Sequence, residues 1–158
     1  TGMKRLMMGS VTAKVIGHAP CNILVFPLNA KVECKNVLIA TDGSKYSEAA
    51  ASEALGIAKR CGSSLTVISV ASSDAEITSA KGNVKKVSEA AEKEGVKTTS
   101  LVTKGKSYEA IIETSKQKKA DLIIVGSHGR TGLDRLLMGS VTERVIGHAE
   151  SAVLVVKA

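Results

Sequence analysis

Short apolar runs alternate with helical spacings along most of the chain. Val37-Leu38-Ile39-Ala40 is a continuous apolar run, as expected for a strand buried on both faces. It stops at Thr41-Asp42-Gly43-Ser44, a polar turn suited to capping a helix. From Tyr46 to Arg60, Ala49, Ala50, Leu55, Ile57 and Ala58 share a helical face, and Gly62 supplies the stop signal. Leu65 to Val70 reads as a second strand. Residues 71–82 are small and polar and read as loop, with room for one helical turn at Ala75-Glu76-Ile77. Val84, Val87, Ala90 and Ala91 then predict a helix ending at Gly95.

Val96 to Val102 alternates weakly, which suits a strand at a sheet edge, and Tyr108, Ile111 and Ile112 mark a further helix. Leu122-Ile123-Ile124-Val125 is the most hydrophobic strand and runs straight into Gly126-Ser127-His128-Gly129. A last helix precedes Ala152 to Val156. Five strands joined by four crossovers predict an α/β fold with an open, doubly wound, five-stranded parallel sheet, given right-handed connections.

The chain also repeats itself. Residues 1–27 and 131–157 match without a gap at 16 of 27 positions, at a constant offset of 130. The second copy closes a complete pattern, whereas the first has none of it upstream. Residues 1–27 therefore read as the loop, helix and strand that end a preceding domain, 28–34 as a linker, and 35–158 as a complete domain. An N-terminal extension is the other reading, and it would require a duplicated fragment. Strand 22–26 is expected to pair with 152–156, within one chain or across a dimer, because an apolar edge strand would otherwise stand unpaired.

Composition narrows the function. The 158 residues suffice for one core of ordinary size. Aromatics are only 2%, so aliphatic residues and Met must build that core. No apolar run approaches the ~20 residues that cross a bilayer, and no membrane partner is expected. Cys21, Cys34 and Cys61 are odd in number and lack a CxxC spacing, which argues against a disulfide framework or zinc site and for a reducing, cytoplasmic compartment.

The net charge of +7 raises nucleic acid as a partner. Lys4, Arg5 and Lys14 stand in an acid-free segment, however, and leave 19 − 15 = +4 for residues 31–158. The remaining lysines are scattered, with no aromatics between them for base stacking. A solvated basic surface is the simpler reading.

The candidate chemistry lies in Gly126-Ser127-His128-Gly129, followed after nine residues by Gly139-Ser140. The first element lies just past the carboxyl end of a buried strand, where open α/β sheets bind ligands. Glycine there lets backbone amides approach an anion. Ser140-Val141-Thr142-Glu143 reads as a capping box, so a helix should begin at Ser140 with its dipole aimed at a phosphate. Leu133, Leu136 and Leu137 between the elements suggest a helical turn closing over the site. Two anion-binding elements separated by a compact loop suit a polyphosphate.

Each signal has a plainer reading. GxxG alone marks a tight turn, and Ser140 could serve only as a helix cap. His148 has a twin at His18, at the end of the same helix, which favours a role at a helix C-terminus. His128 sits in the phosphate loop, within reach of a ligand.

The spacing G-x2-G-x9-G-S, together with VLIATDGS, DLIIVGSHGR and GSVTERVIGHAESAVLVV, resembles the ATP-binding branch of the universal stress protein family. The resemblance covers residues 35–158, with 1–27 as the end of a preceding copy. It implies a Rossmann-like fold, of the adenine nucleotide alpha hydrolase type, with strand order 3-2-1-4-5. It implies ATP, ADP or AMP as ligand, with Mg or Mn held mainly by the phosphates.

By position, the resemblance puts Ala40, Thr41 and Asp42 at adenine and ribose and Val70 on adenine. Val125 and Gly126 would line the nucleoside, and Gly129, Gly139, Ser140 and Val141 would surround the phosphates. The family often has proline where this chain has Ala40, and the exchange to alanine keeps the apolar wall but loosens the turn. Dimerisation through the last strand is also implied.

Two other classes compete. A KH module uses a GxxG loop on RNA, but that loop joins two helices, whereas here it follows a strand. In a phosphate-loop NTPase, Gly43-Ser44-Lys45 would need the GxxxxGK[ST] spacing, which is absent. With no Walker lysine, a binding and signalling module is expected, with slow ATP hydrolysis as the alternative. The first copy is not expected to form a second site. Its Gly9-Ser10 survives, but Ala13 replaces the glutamate, and completion by a partner chain stays open.

Overall fold

A computed structural model describes residues 8–130 and 138–158. The helical turn expected around Leu133, Leu136 and Leu137 lies outside the described residues. In chain order the elements are α1 (Ser10–His18), β1 (Ile23–Val25), β2 (Asn36–Ala40), α2 (Lys45–Cys61), β3 (Ser64–Ala71) and a 3-10 turn (Asp74–Glu76). They continue with α3 (Ile77–Lys93), β4 (Thr98–Lys104), α4 (Ser107–Gln117), β5 (Leu122–Gly126), α5 (Ser140–His148) and β6 (Ala152–Val156).

The sheet runs β1-β6-β5-β2-β3-β4. Its five strands from β2 onward are all parallel and take the order that the family resemblance implies, 3-2-1-4-5 when counted from β2. β1 adds an antiparallel edge on β6, with Leu24 opposite Leu154. The pairing expected of 22–26 with 152–156 thus forms inside one chain, over residues 23–25 and 153–155.

Period-2 alternation explains the two layers, because successive side chains of a strand leave on opposite faces. Val37, Ile39, Leu65, Val67, Leu122 and Ile124 pack under α2 and α3. Leu38, Ile68, Ile123, Val125, Val153 and Val155 pack under α4, α5 and α1. Both faces are apolar, so the strands read as continuous runs. In place of aromatics, Ala50, Ala51, Ala54 and Ala58 let α2 lie close on the sheet.

Two boundaries depart from the sequence reading. α3 begins at Ile77, where a loop was expected, because Ala80 continues the buried stripe of Val84, Val87 and Ala91. Its small residue is too weak a hydrophobic signal to reveal a turn of helix. β4 begins at Thr98 and extends to Lys104, and Val96 is buried just ahead of the strand.

Lys157 closes the sheet edge. Its ammonium donates to the carbonyls of Ile16 at 2.6 Å and Gly17 at 3.2 Å, at the end of α1. A cation there complements the helix dipole.

Candidate functional site

Between β5 and β2 the connections leave the sheet in opposite directions, and at such a switch point the loops part to open a crevice. A cleft of about 380 Å³ occupies this position. All eleven candidates line it: Ala40, Thr41, Asp42, Val70, Val125, Gly126, His128, Gly129, Gly139, Ser140 and Val141.

Asp42 is fixed from two sides. The Ser44 amide donates to its Oδ1 at 3.0 Å, and the Arg130 amide donates to its Oδ2 at 3.0 Å. Ser44 also caps α2, its hydroxyl accepting from the Ser47 amide at 3.2 Å. Burial pushes the Asp42 carboxyl up. The hydrogen bonds from Ser44, Ser47 and Arg130 outweigh it and hold the group below its ordinary value. Asp42 is therefore ionised at neutral pH and acceptor-only, with lone pairs to spare for a ligand hydroxyl. The Arg130 side chain crosses to Glu76 at 3.2 Å and ties the glycine loop to the 3-10 turn.

The glycines serve close approach between chain segments rather than unusual backbone angles. A Cβ on Gly126 would stand 2.7 Å from the Tyr46 carbonyl carbon, so this glycine lets β5 meet the first turn of α2. On Gly129 it would meet Asp42 Oδ2 at 3.1 Å, and on Gly139 the His128 Cα at 3.1 Å. The Gly139 amide donates to the Ser127 carbonyl at 2.8 Å, joining the two elements of the motif.

α5 begins at Ser140 as expected, but the capping box does not form. Gly139 is the N-cap, and no side chain caps this end. The helix starts one residue too early for a box, because Ser140 already holds its first helical position. The first intrahelical bond runs from the Glu143 amide to the Gly139 carbonyl at 2.9 Å. The amides of Ser140, Val141 and Thr142 consequently have no carbonyl partner within the helix, and all three residues line the cleft. Thr142 anchors this end by donating to the Gly126 carbonyl at 2.7 Å.

His128 packs against the Tyr46 ring at 5.0 Å, and its Nδ1 is 3.0 Å from the Ser127 hydroxyl. His148 and His18 each place Nδ1 on the carbonyl four residues back, at 2.7 and 2.8 Å. Both therefore satisfy a carbonyl of the last helical turn, the role expected of twins.

Ser47, Ile68, Ser107, Ile111, Met138 and Thr142 also line the cleft and were not anticipated. Ile68 was accessible by period, since it lies two residues before Val70 on one strand. Ser107 and Ile111 come from α4, which no motif links to the site.

An open, Rossmann-like α/β domain with one cleft at the carboxyl ends of β2, β3 and β5 is the class that fold and site define. The chain belongs to the universal stress protein family, whose model matches residues 33–157. A universal stress protein of Methanocaldococcus jannaschii is 39% identical over 139 residues, covering 78% of this chain and 82% of that protein.

Among solved structures, a universal stress protein from Archaeoglobus fulgidus aligns with a TM-score of 0.83 at 26% identity. It covers 99% of this chain, and the chain spans 58% of that longer one. A universal stress protein in complex with cAMP aligns with a TM-score of 0.67 at 25% identity, over 78% of this chain and 96% of that one.

No helix among the described residues is long and apolar enough to cross a membrane. None of the described His, Cys, Asp and Glu residues cluster in threes fit to hold a metal.

Proposed function

We propose that this chain is an adenine-nucleotide-binding module, taking ATP, ADP or AMP and signalling by its bound state in a cytoplasmic stress response. One observation carries the reading: residues chosen from the sequence for nucleotide contact converge on a single cleft. Ala40, Val70 and Val125 offer an apolar wall for adenine, and ionised Asp42 an acceptor for ribose hydroxyls. Gly126, Gly129, Gly139 and the unpaired amides of Ser140 and Val141 suit phosphates, with His128 at their edge. The cleft's size falls in the range of small-molecule sites, about 300–1,000 Å³. A relative holding cAMP supports the adenosine half of the reading. Mg or Mn would be held mainly by the phosphates.

Residues 1–27 end a preceding domain, 28–34 link, and the antiparallel pairing of β1 with β6 is how two such domains dock. A second copy of the chain could offer the same edge.

Mass spectrometry of nucleotide released from the purified protein tests the reading. An adenine nucleotide, lost in the Gly139→Val, Ser140→Ala double variant, is the expected result. Titration that detects no adenine nucleotide below millimolar concentration would overturn it. Phosphate release well above that variant's would identify a slow hydrolase instead.

A further inference from the structure

Cys34 and Cys61 are far apart in sequence and adjacent in space. Cys61 is the last residue of α2, and the left-handed Gly62 turns the chain back toward β3. This return brings residues 63 and 64 against the end of the 28–35 segment. The Ser63 hydroxyl donates to the Cys34 carbonyl, and the Ser64 amide donates to the Lys35 carbonyl at 2.9 Å. With Ser63 on the Cys34 carbonyl, Cys61 is brought to the neighbourhood of Cys34, close enough for its charge to bear on the Cys34 thiol.

Cys34 is also held at φ +50°, a left-handed conformation uncommon for a residue with a Cβ. Its side chain is half-buried against the core under α2, while Cys61 is exposed.

We propose that Cys34 and Cys61 are a redox modification site, joined by a reversible disulfide when the protein meets a peroxide. The asymmetry of the two thiols assigns the steps. Burial pushes the Cys34 thiol up, and negative charge at Cys61 or Asp121 pushes it further. Cys34 is thus a poor first nucleophile, and the exposed Cys61 meets the oxidant.

The Cys61 sulfur attacks one peroxide oxygen, the O–O bond breaks, and sulfenic acid and a first water result. The Cys34 sulfur then displaces the sulfenic oxygen, the S–O bond breaks, and a second water leaves with the Cys34 proton. Two thiols and one hydrogen peroxide give one disulfide and two waters. The bond would fasten the segment between β1 and β2 to the end of α2. A thiol reductant reverses it.

Hydrogen peroxide is added to the intact chain, followed by thiol counting and non-reducing peptide mapping. Reactive thiols should fall from three to one, with a peptide joining Cys34 to Cys61 and a mass lowered by two hydrogens. The melting temperature should rise and return with dithiothreitol, because the link constrains the unfolded chain. Cys61→Ser, at an exposed helix end, should lose the link, and Cys21→Ser should keep it. Cys61 passing to sulfinic acid while Cys34 stays a thiol would overturn the proposal, as would links that run between chains through Cys21.

Discussion

The helix-and-strand pairs α1–β1 and α5–β6 share one sequence pattern and bury different faces. Both helices run from serine to histidine behind a glycine cap of near-identical angles, φ −59° with ψ 148° and 142°. Both end in the same bond from histidine to the carbonyl four residues back. Their burial is exchanged, however. In α5, Val145 is 0% exposed, while its twin Val15 in α1 is 57% exposed. Ile16 is 1% exposed, while its twin Ile146 is only partly covered.

The strands meet about a local two-fold. Leu24 faces its own twin Leu154, and Ile23 and Val25 face Val155 and Val153, the twins of each other. Such isologous pairing is how two copies of one surface meet. Local sequence thus sets element type, length and caps, and the neighbouring sheet decides which stripe is buried. The stripe that α5 turns inward, Thr142 and Val145, is the one α1 leaves exposed at Thr12 and Val15.

Paired substitutions measure that exchange, and the largest difference belongs to the valines. Val145→Ala should cost about 2 kcal/mol, from lost methyl burial plus a cavity. Val15→Ala should stay within about 0.5 kcal/mol, as surface changes do. Urea unfolding of both variants reads the contrast. Equal losses would mean that α1 is buried by something more than this chain.

Next come the threonines. Thr142 donates from a buried position to the Gly126 carbonyl, while Thr12 is exposed. Thr142→Val should cost about 1 kcal/mol by leaving that carbonyl short of a donor. Thr12→Val should be near neutral in the same urea assay. A Thr142→Val variant as stable as the parent would remove this bond from the account of why α5 starts where it does.

How far the sequence disclosed these features depended on their period. The strands of the sheet centre were legible because two buried faces leave an unbroken apolar run, as in Leu122 to Val125. The first turns of α3 were not, since Ala80 alone marks the buried stripe between polar neighbours. In the cleft, the spaced glycines pointed to a loop that lines it, but their spacing could not say what each glycine avoids. Gly126 spares the Tyr46 backbone and Gly139 spares His128, contacts that exist only once distant segments meet. Ser140 was misread as a cap because the box pattern is local, whereas the cap falls one residue earlier, where Gly139 is fixed by Ser127.

The glycine caps give a third contrast, read in binding rather than in stability. An added Cβ at Gly9 would meet nothing within 4 Å, whereas at Gly139 it would press on the His128 backbone. Gly139→Ala should weaken adenine nucleotide binding by about tenfold, near 1.4 kcal/mol, by parting the two loops. Gly9→Ala should leave affinity unchanged. Calorimetric titration of the two variants with ATP separates them. Equal losses would imply that α1 contributes to a nucleotide site after all.

The smallest effect concerns what braces α5 and not α1. The loop ahead of α5 is held to the first turn of α2 through Asp42 and the Arg130 amide. Because the folded carboxyl titrates below its unfolded value, its contribution is complete above about pH 4. It is lost as pH falls through the folded value. Asp42→Asn should therefore lower the urea midpoint near pH 6, by under about 1 kcal/mol for a partly solvated group. The gap between variant and parent should narrow progressively as both are acidified below about pH 4. A gap that persists there would assign the brace to the shape of the side chain rather than to its charge.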